Sequence, residues 1–531
     1  MQVILYDTTL RDGAQGEGVQ FSVEDKLRAA KKLDQLGVHY IEGGWPGANP
    51  RDIEFFEQAR SLKLTTAKLS AFGSTCRPNT PAEQDPVLNQ LISAQTPVVT
   101  IFGKTWDLHV THVLQTTLPE NLRMIRESIS FLKAKGREVI YDAEHFFDGF
   151  KTDPAYAIST LRAALDGGAD CLVLCDTNGG TMPLELSAII SRVKELVPAP
   201  LGIHAHNDSG LAVANSVIAV QQGAAHVQGT FNGYGERCGN ANLVSIIPNL
   251  QLKLGYKILA AESLAQISST SRFISELANM IPDEKQPYVG RSAFAHKAGM
   301  HADGVIKVSQ SFEHINPSLV GNNRRILVSD QAGRGNILAR VKRYQPNIDK
   351  GSPVLSTLLN KLKQLEYQGY QFEAAEGSLD LLIKKHLGMF RPSFHLEDFR
   401  VLIARDSQDS MSCEAIVKIR VNDELVHVVS NGAGPVNALD QSLRKALEPF
   451  FPILQQMVLD DYKVRVIDGS SGTGALVKVL IETRYHGDTW GTVGVSENII
   501  EASIQALVES LEYGLMTYET SAGQSSAEAG V

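Results

Sequence analysis

The residues whose types and spacing best suit chemistry here are Asp12, His204 and His206. His204 and His206 stand two apart in His-Ala-His-Asn-Asp. On a strand, positions i and i+2 share a face, so both imidazoles can meet one ion. A carboxylate from another segment makes a mixed oxygen–nitrogen site. Such a site suits Mn²⁺, Mg²⁺, Co²⁺ or Zn²⁺, with positions left open for a substrate. Non-haem iron takes similar donors, but no other motif points to oxygen chemistry. Asp12 lies in Val3 to Gln15, VILYDTTLRDGAQ, an apolar run that breaks into a turn carrying Asp7, Arg11, Asp12 and Gln15. In Gly233-Tyr-Gly-Glu-Arg-Cys-Gly-Asn240 the glycines permit a tight loop, and the Asn240 amide oxygen is a candidate fourth ligand. Glu236 and Arg237 can pair behind it and orient the ligands. Glu144 is a candidate base or proton shuttle. The Thr177 hydroxyl can hold a substrate carboxylate. Cys171 and Cys175 share a strand face and read as buried thiols.

These residues do chemistry together only if one scaffold brings them to one rim. Short apolar runs at 3–7, 39–44, 67–72, 97–103, 138–144, 171–176, 201–206 and 226–231 read as strands. Between them lie helix candidates such as 23–36, 119–135, 154–165, 184–197 and 211–221, several ending at glycine. Eight strand–helix units predict a parallel (β/α)8 TIM barrel, in which functional groups gather at the strand C-termini. Asp12, Glu144, Thr177, His206 and Asn240 all fall at or after such ends. A doubly wound open sheet is the alternative, but it would bring a glycine-rich fingerprint after its first strand, and none is present.

Length and composition set the frame. The chain has 531 residues, 43% hydrophobic and 21% charged, an ordinary globular balance with room for two to four domains. A net charge of -9 argues against nucleic acid or an anionic membrane as partner. No apolar run is long enough to span a bilayer, and MQVILYD carries no signal-peptide pattern. Five scattered cysteines predict reduced thiols and a cytoplasmic protein. We divide the chain into a barrel at 1–265, helical linker subdomains at 266–395, an α+β module at 396–520 and a disordered tail at 521–531. The module rests on an internal repeat: Ala415–Val421 matches Ala475–Ile481, and each copy reads strand–strand–helix. Such a module has a groove at its internal axis that suits a small ligand; a repeat that only dimerises fits the same pattern.

DTTLRDGAQ, HAHND and GYGERCGNANL resemble the motifs of the DRE-TIM metallolyase superfamily. With GMHADG in the linker and the repeated C-terminal module, nearly the whole chain is similar to its acyl-CoA-condensing branch, the isopropylmalate, homocitrate and citramalate synthases. EGVQFSVEDK and YIEGGWPGANP look most like the long type of (R)-citramalate synthase. Ala14-Gln15 and Trp45 stand where isopropylmalate synthases usually carry Glu-Gln and Phe. The resemblance implies a Claisen-type condensation of acetyl-CoA with pyruvate. It implies Asp12, His204, His206 and Asn240 as ligands of a divalent metal. Arg11, Glu144 and His301 would be catalytic, and Arg11, Gln15 and Thr177 would contact substrate. His301 would reach in from the linker of a partner subunit. It implies isoleucine as the effector at the C-terminal module, a threonine-independent route to isoleucine as the setting, and a homodimer or higher homo-oligomer. Relatives often carry a tyrosine eleven residues after His301, where this chain has Phe312; His314 is a possible substitute. Isopropylmalate or homocitrate synthase, a lyase of the same superfamily and a non-catalytic amino-acid-sensing barrel remain open at this point.

Overall fold

The computed structural model describes residues 2–327, 334–349, 351–405, 410–467, 469–486 and 488–528. Eight parallel strands close into a barrel: β1 Ile4–Asp7, β2 Tyr40–Gly44, β3 Lys68–Ser74, β4 Val98–Lys104, β5 Glu138–Glu144, β6 Cys171–Asp176, β7 Leu201–Ala205 and β8 His226–Gly229. All eight predicted strands are present. Closure is made by β1, which pairs with β2 through Tyr6 and Tyr40 and with β8 from Ile4–His226 to Asp7–Gly229.

The helices around it are α1 Val23–Leu36, α2 Pro50–Ala59, α3 Pro86–Ser93, α4 Leu118–Ala134, α5 Phe146–Thr152, α6 Pro154–Asp166, α7 Pro183–Leu196, α8 Ala212–Gln221 and α9 Leu243–Pro248. Local sequence sets their ends. Ser22 and Asp25 form a reciprocal capping box on α1, and Gly37 ends it in the left-handed conformation at φ 99°. Asp34, late in α1, accepts the backbone N–H groups of Thr65, Thr66 and Ala67 and so fixes the entry into β3. The large core lies between strands and helices. A small one fills the barrel interior with Tyr6, Val98, Ile140, Cys171, Val173 and Cys175. The two cysteines are the buried thiols expected, and burial pushes both thiols far up.

The chain forms two compact units. The first runs to Phe294 and adds Glu313–Arg324. It therefore keeps α10 Ala261–Leu264 and α11 Ile267–Leu277, whereas the sequence reading ended the barrel at 265. The apolar face of α11, with Ile267, Ile274 and Leu277, belongs to the barrel core and carries the boundary outward.

The second unit comprises Ala295–Phe312 and the chain from Arg325. It contains β9 Ala295–His296, α12 Gly299–Lys307, β10 Arg325–Ile326, α13 Arg334–Val341, α14 Pro353–Tyr367 and α15 Glu376–His386. Two three-stranded antiparallel sheets follow. The first is β11 His395–Arg405, β12 Met411–Val421 and β13 Glu424–Gly432, then α16 Pro435–Leu447. The second is β14 Val458–Val466, β15 Val477–Tyr485 and β16 Asp488–Ser496, then α17 Ile499–Glu528. The repeat is therefore strand–strand–strand–helix, one strand more per copy than the sequence reading gave. The register irregularities at Leu396/Asp398 and Leu459/Asp461 occupy equivalent places in the copies. β11 and β14 are edge strands with largely exposed side chains, which hides them from an apolar pattern search. α17 runs on to Glu528 where a disordered tail was expected from Ser521; 529–531 lie outside the described residues. Among the described residues no helix is long and apolar enough to cross a membrane.

Candidate metal centre and active site

β1 ends at Asp7, and the following turn is held on both sides. Asp7 accepts the N–H and hydroxyl of Thr9, and the Thr9 hydroxyl oxygen accepts the Phe231 N–H from the segment after β8. Asp7 is wholly buried, and desolvation lifts its carboxyl to about 7. The same turn delivers Arg11 and Asp12. Glu42 of β2 accepts from Arg11 Nε and also takes the Tyr6 hydroxyl at 2.6 Å. The guanidinium carbon sits 3.6 Å over the Phe72 ring, so Arg11 is fixed in direction as well as in charge.

Asp12, His204 and His206 are buried, and one ligand atom from each falls within 4.8 Å of the others. Asp12 Oδ2 is 3.4 Å from His204 Nε2, and the two Nε2 atoms are 3.3 Å apart. Burial would raise the Asp12 carboxyl, but Arg11, at 3.1 Å, and His204 hold it well below the usual range. Burial would lower His204, but Asp12 raises it overall. Burial and the neighbouring His204 push His206 down to about 4, so it is neutral at pH 7.

Asn240 arrives from the loop after β8. Its backbone bridges to His206, and flanking bonds run from Asn207 N to Gly239 O and from Ala241 N to Ala205 O, both at 2.9 Å. Gly235, at φ 150°, lies so close that a Cβ there would stand 2.1 Å from Asn240 Nδ2. Asn240 Oδ1 is buried with no hydrogen-bond partner among the described residues. Two imidazole nitrogens facing each other, an ionised carboxylate and an orphaned amide oxygen form a donor set that fits a divalent cation.

The neighbouring strand ends carry the other predicted groups. Glu144, last residue of β5, is ion-paired with Lys104 of β4. The Thr177 hydroxyl oxygen accepts the His145 N–H at 2.9 Å, which leaves its own hydrogen to donate. Gln15 is exposed and, with Arg11 and Trp45, lines a cavity of about 190 Å³. Arg237 pairs with Glu236 at 3.7 Å, as expected from sequence, and more closely with Asp208 at 2.7 and 3.0 Å.

Residues 2–274 match the HMGL-like family. The chain belongs to that family. In HMGL-like terms it is a member of the acyl-CoA-condensing branch of the DRE-TIM metallolyases. It is 56% identical to the (R)-citramalate synthase of Aquifex aeolicus, over 98% of each chain. It is 52% identical to that of Geobacter sulfurreducens, over 97% of each chain. A probable 2-isopropylmalate synthase of Methanopyrus kandleri is 31% identical, over 96% of this chain and 97% of that one. Residues 288–369 match the homocitrate synthase post-HMGL domain-like family, and 373–515 match the LeuA allosteric (dimerisation) domain. It is an acyl-transferring condensing enzyme, in a family whose members use a divalent metal.

In this HMGL-like chain His301 lies on α12 of the second unit, exposed, its ring stacked on Phe312 with centroids 4.2 Å apart. A phenyl ring thus occupies the tyrosine position and packs on the imidazole without offering a hydroxyl. His314 belongs to the first unit, between Tyr288 and Phe294. Sequence reasoning missed Glu42, Asp142 and Gln228. The available signal was a polar residue in the middle of a barrel strand, as in YIEGG, EVIYDAE and HVQGTF.

Proposed function

We propose that the chain condenses acetyl-CoA with pyruvate to give (R)-citramalate and free CoA. The Asp12–His204–His206 cluster with Arg11 beside it carries this reading, and the full-length likeness to (R)-citramalate synthases supports the choice of substrate. Asp12, His204, His206 and Asn240 would hold a divalent ion, which would supply Lewis-acid polarisation of the 2-oxo group. Arg11, fixed by Glu42 and Phe72, presents positive charge where the alkoxide develops on C2. The Thr177 hydroxyl donates to the pyruvate carboxylate, and Gln15 borders the same cavity. Glu144 and, from the linker of a partner subunit, His301 serve the proton transfers: a base takes a methyl proton from acetyl-CoA, the carbanion forms the new bond to C2 as the C2–oxygen π pair moves onto oxygen, and that alkoxide takes up a proton to become the product hydroxyl. Water then cleaves the thioester and CoA leaves as the thiol, which makes the sequence irreversible in practice.

Selection for a short 2-oxo acid falls to an aromatic wall. Trp45 meets Phe72 and Phe102 edge-on at 5.9 and 5.8 Å, and those two rings stack at 5.5 Å. One methylene is worth about 1–3 kcal/mol of discrimination, so some turnover of 2-oxobutanoate is expected. Trp45→Phe shifts the ratio of pyruvate to 2-oxoisovalerate turnover; an unchanged ratio removes Trp45 from this role. The protein acts in the cytoplasm as a homodimer or higher homo-oligomer. Isoleucine is the effector at the repeat module, in a threonine-independent isoleucine route.

The deciding experiment is CoA release from acetyl-CoA with pyruvate, 2-oxobutanoate, 2-oxoisovalerate and 2-oxoglutarate in turn, with Mn²⁺ present. Pyruvate is expected to give the highest kcat/KM. Preference for 2-oxoisovalerate or 2-oxoglutarate would make the chain an isopropylmalate or homocitrate synthase. Release with none of them would favour a sensing role.

A further inference from the structure

We propose that Asp142 and Gln228 are positioning residues that fix the tautomer of His204, turning its Nε2 lone pair toward the metal. The inference rests on the metal reading above. The three side chains come from β5, β8 and β7, and all are buried. His204 and Gln228 are register partners across the β7–β8 pair, so the barrel itself sets them side by side.

The chain of contacts has a direction. Gln228 Nε2 donates to Asp142 Oδ1 at 2.9 Å. Burial lifts the Asp142 carboxyl to about 7 against the pull of His204 and Arg11; in its ionised form it only accepts, and it then holds the amide with its NH2 end toward β5. The opposite end of the amide, Oε1, then lies 2.8 Å from His204 Nδ1. A carbonyl oxygen also only accepts, so Nδ1 carries the hydrogen. In the neutral ring the remaining nitrogen, Nε2, is bare, and it is the atom that faces Asp12 Oδ2 and His206 Nε2.

Gln228 cannot do this by itself. With nothing to hold its NH2 end, the amide can rotate by half a turn and offer a donor to Nδ1. That would place the hydrogen on Nε2, where it would point into the ligand cluster. Asp142 removes this alternative. Outer partners of metal-bound imidazoles commonly change metal affinity by about 10–100-fold.

The test uses the full-length chain, stripped with chelator and titrated with Mn²⁺ by calorimetry. Gln228→Met keeps the side-chain length and removes both bonds; it is expected to weaken binding by about 10–100-fold. Asp142→Asn leaves the amide orientation undetermined and is expected to give a smaller loss in the same direction. Unchanged affinity in a Gln228→Met chain with wild-type near-UV circular dichroism overturns the relay alone. A wild-type chain that binds no Mn²⁺ overturns the metal reading and the relay with it. Should Gln228→Met fail to fold, the wild type decides. ¹⁵N-histidine spectra of the Zn²⁺-loaded chain, assigned against His204→Ala, are expected to show His204 protonated at Nδ1. Coordination through Nδ1 overturns the proposal.

Discussion

Gly235→Ala is expected to disable the enzyme through Asn240, a side chain it does not replace. A Cβ at position 235 would stand 2.1 Å from Asn240 Nδ2 and 3.2 Å from its Cγ. To reach an ordinary 3.4 Å contact the amide must retreat by roughly 1.3 Å. Neither the backbone bridge to His206 nor the bond from Asn207 N to Gly239 O allows the main chain to follow. The side chain must therefore swing, and Oδ1 leaves its place. A misplacement of about 1 Å in a reacting constellation costs on the order of 10²-fold, or about 2.7 kcal/mol in the barrier. The φ of 150° at Gly235 adds backbone strain of about 1–3 kcal/mol, which appears as lost stability. Two assays separate the effects: kcat/KM for CoA release across a Mn²⁺ titration, and the thermal midpoint without metal. Asn240→Ala is the companion variant, expected to reproduce the weaker Mn²⁺ dependence without the strain. Wild-type Mn²⁺ dependence in both variants would refute the assignment of Asn240 Oδ1 as a donor.

Other changes probe the same unit by independent routes. Burial raises the Asp7 carboxyl to about 7, so the folded state holds a proton that the unfolded state has released above about pH 4. Stability from this group therefore falls as pH rises from about 4 to 7, at up to about 1.4 kcal/mol per pH unit. Denaturant titration of metal-free wild type and Asp7→Asn is expected to show a shallower slope in the variant, which keeps the contribution of Asp142, raised to about 7 by the same burial. Asp52→Asn is expected to destabilise the barrel by about 3–5 kcal/mol, because it leaves the buried Lys26 charge unpaired. Asp52 also accepts the Trp45 N–H at 2.9 Å, so the same variant should alter 2-oxo acid selectivity, read as kcat/KM for pyruvate against 2-oxobutanoate. Glu42→Gln replaces one acceptor facing Arg11 and Tyr6 with a donor; kcat is expected to fall more than KM rises, since the misdirected guanidinium acts on the developing alkoxide.

How far the sequence could be read depended on how local each feature is. The eight barrel strands are short apolar runs bounded by turn residues, and each was legible in its own segment. His204 and His206 were legible for the same reason, since two residues on one strand share a face. Asp142 and Gln228 are 86 positions apart, and their bond exists only because β5 and β8 face one interior. Nothing in EVIYDAE or HVQGTF announces the other. Arg237 combines both cases: its sequence neighbour Glu236 pairs with it at 3.7 Å, while its closer partner, Asp208 at 2.7 Å, lies 29 positions away. β11 and β14 escaped because an edge strand that exposes most of its side chains loses the alternation that marks a half-buried strand.

The second unit also changes how regulation must be tested. The sequence places the boundary between linker and repeat module at 395/396, the natural point for a truncation. One apolar cluster crosses that point: Leu358, Leu362, Phe372, Leu379 and Ile383 pack with Val493 and Val495 of β16. Ser378 also accepts the Val493 N–H at 2.9 Å. A chain ending at 395 would expose the apolar faces of α14 and α15 and disturb the unit that holds α12 and His301. Loss of isoleucine sensitivity in such a truncation would not separate a missing effector site from a damaged linker. The intact chain gives the cleaner measurement, with kcat/KM and thermal midpoint followed against isoleucine, leucine and valine. A rise in midpoint with isoleucine, matched by falling activity, is expected from an effector that binds the less active state more tightly. Isoleucine that changes neither quantity would remove it as the ligand of the repeat module.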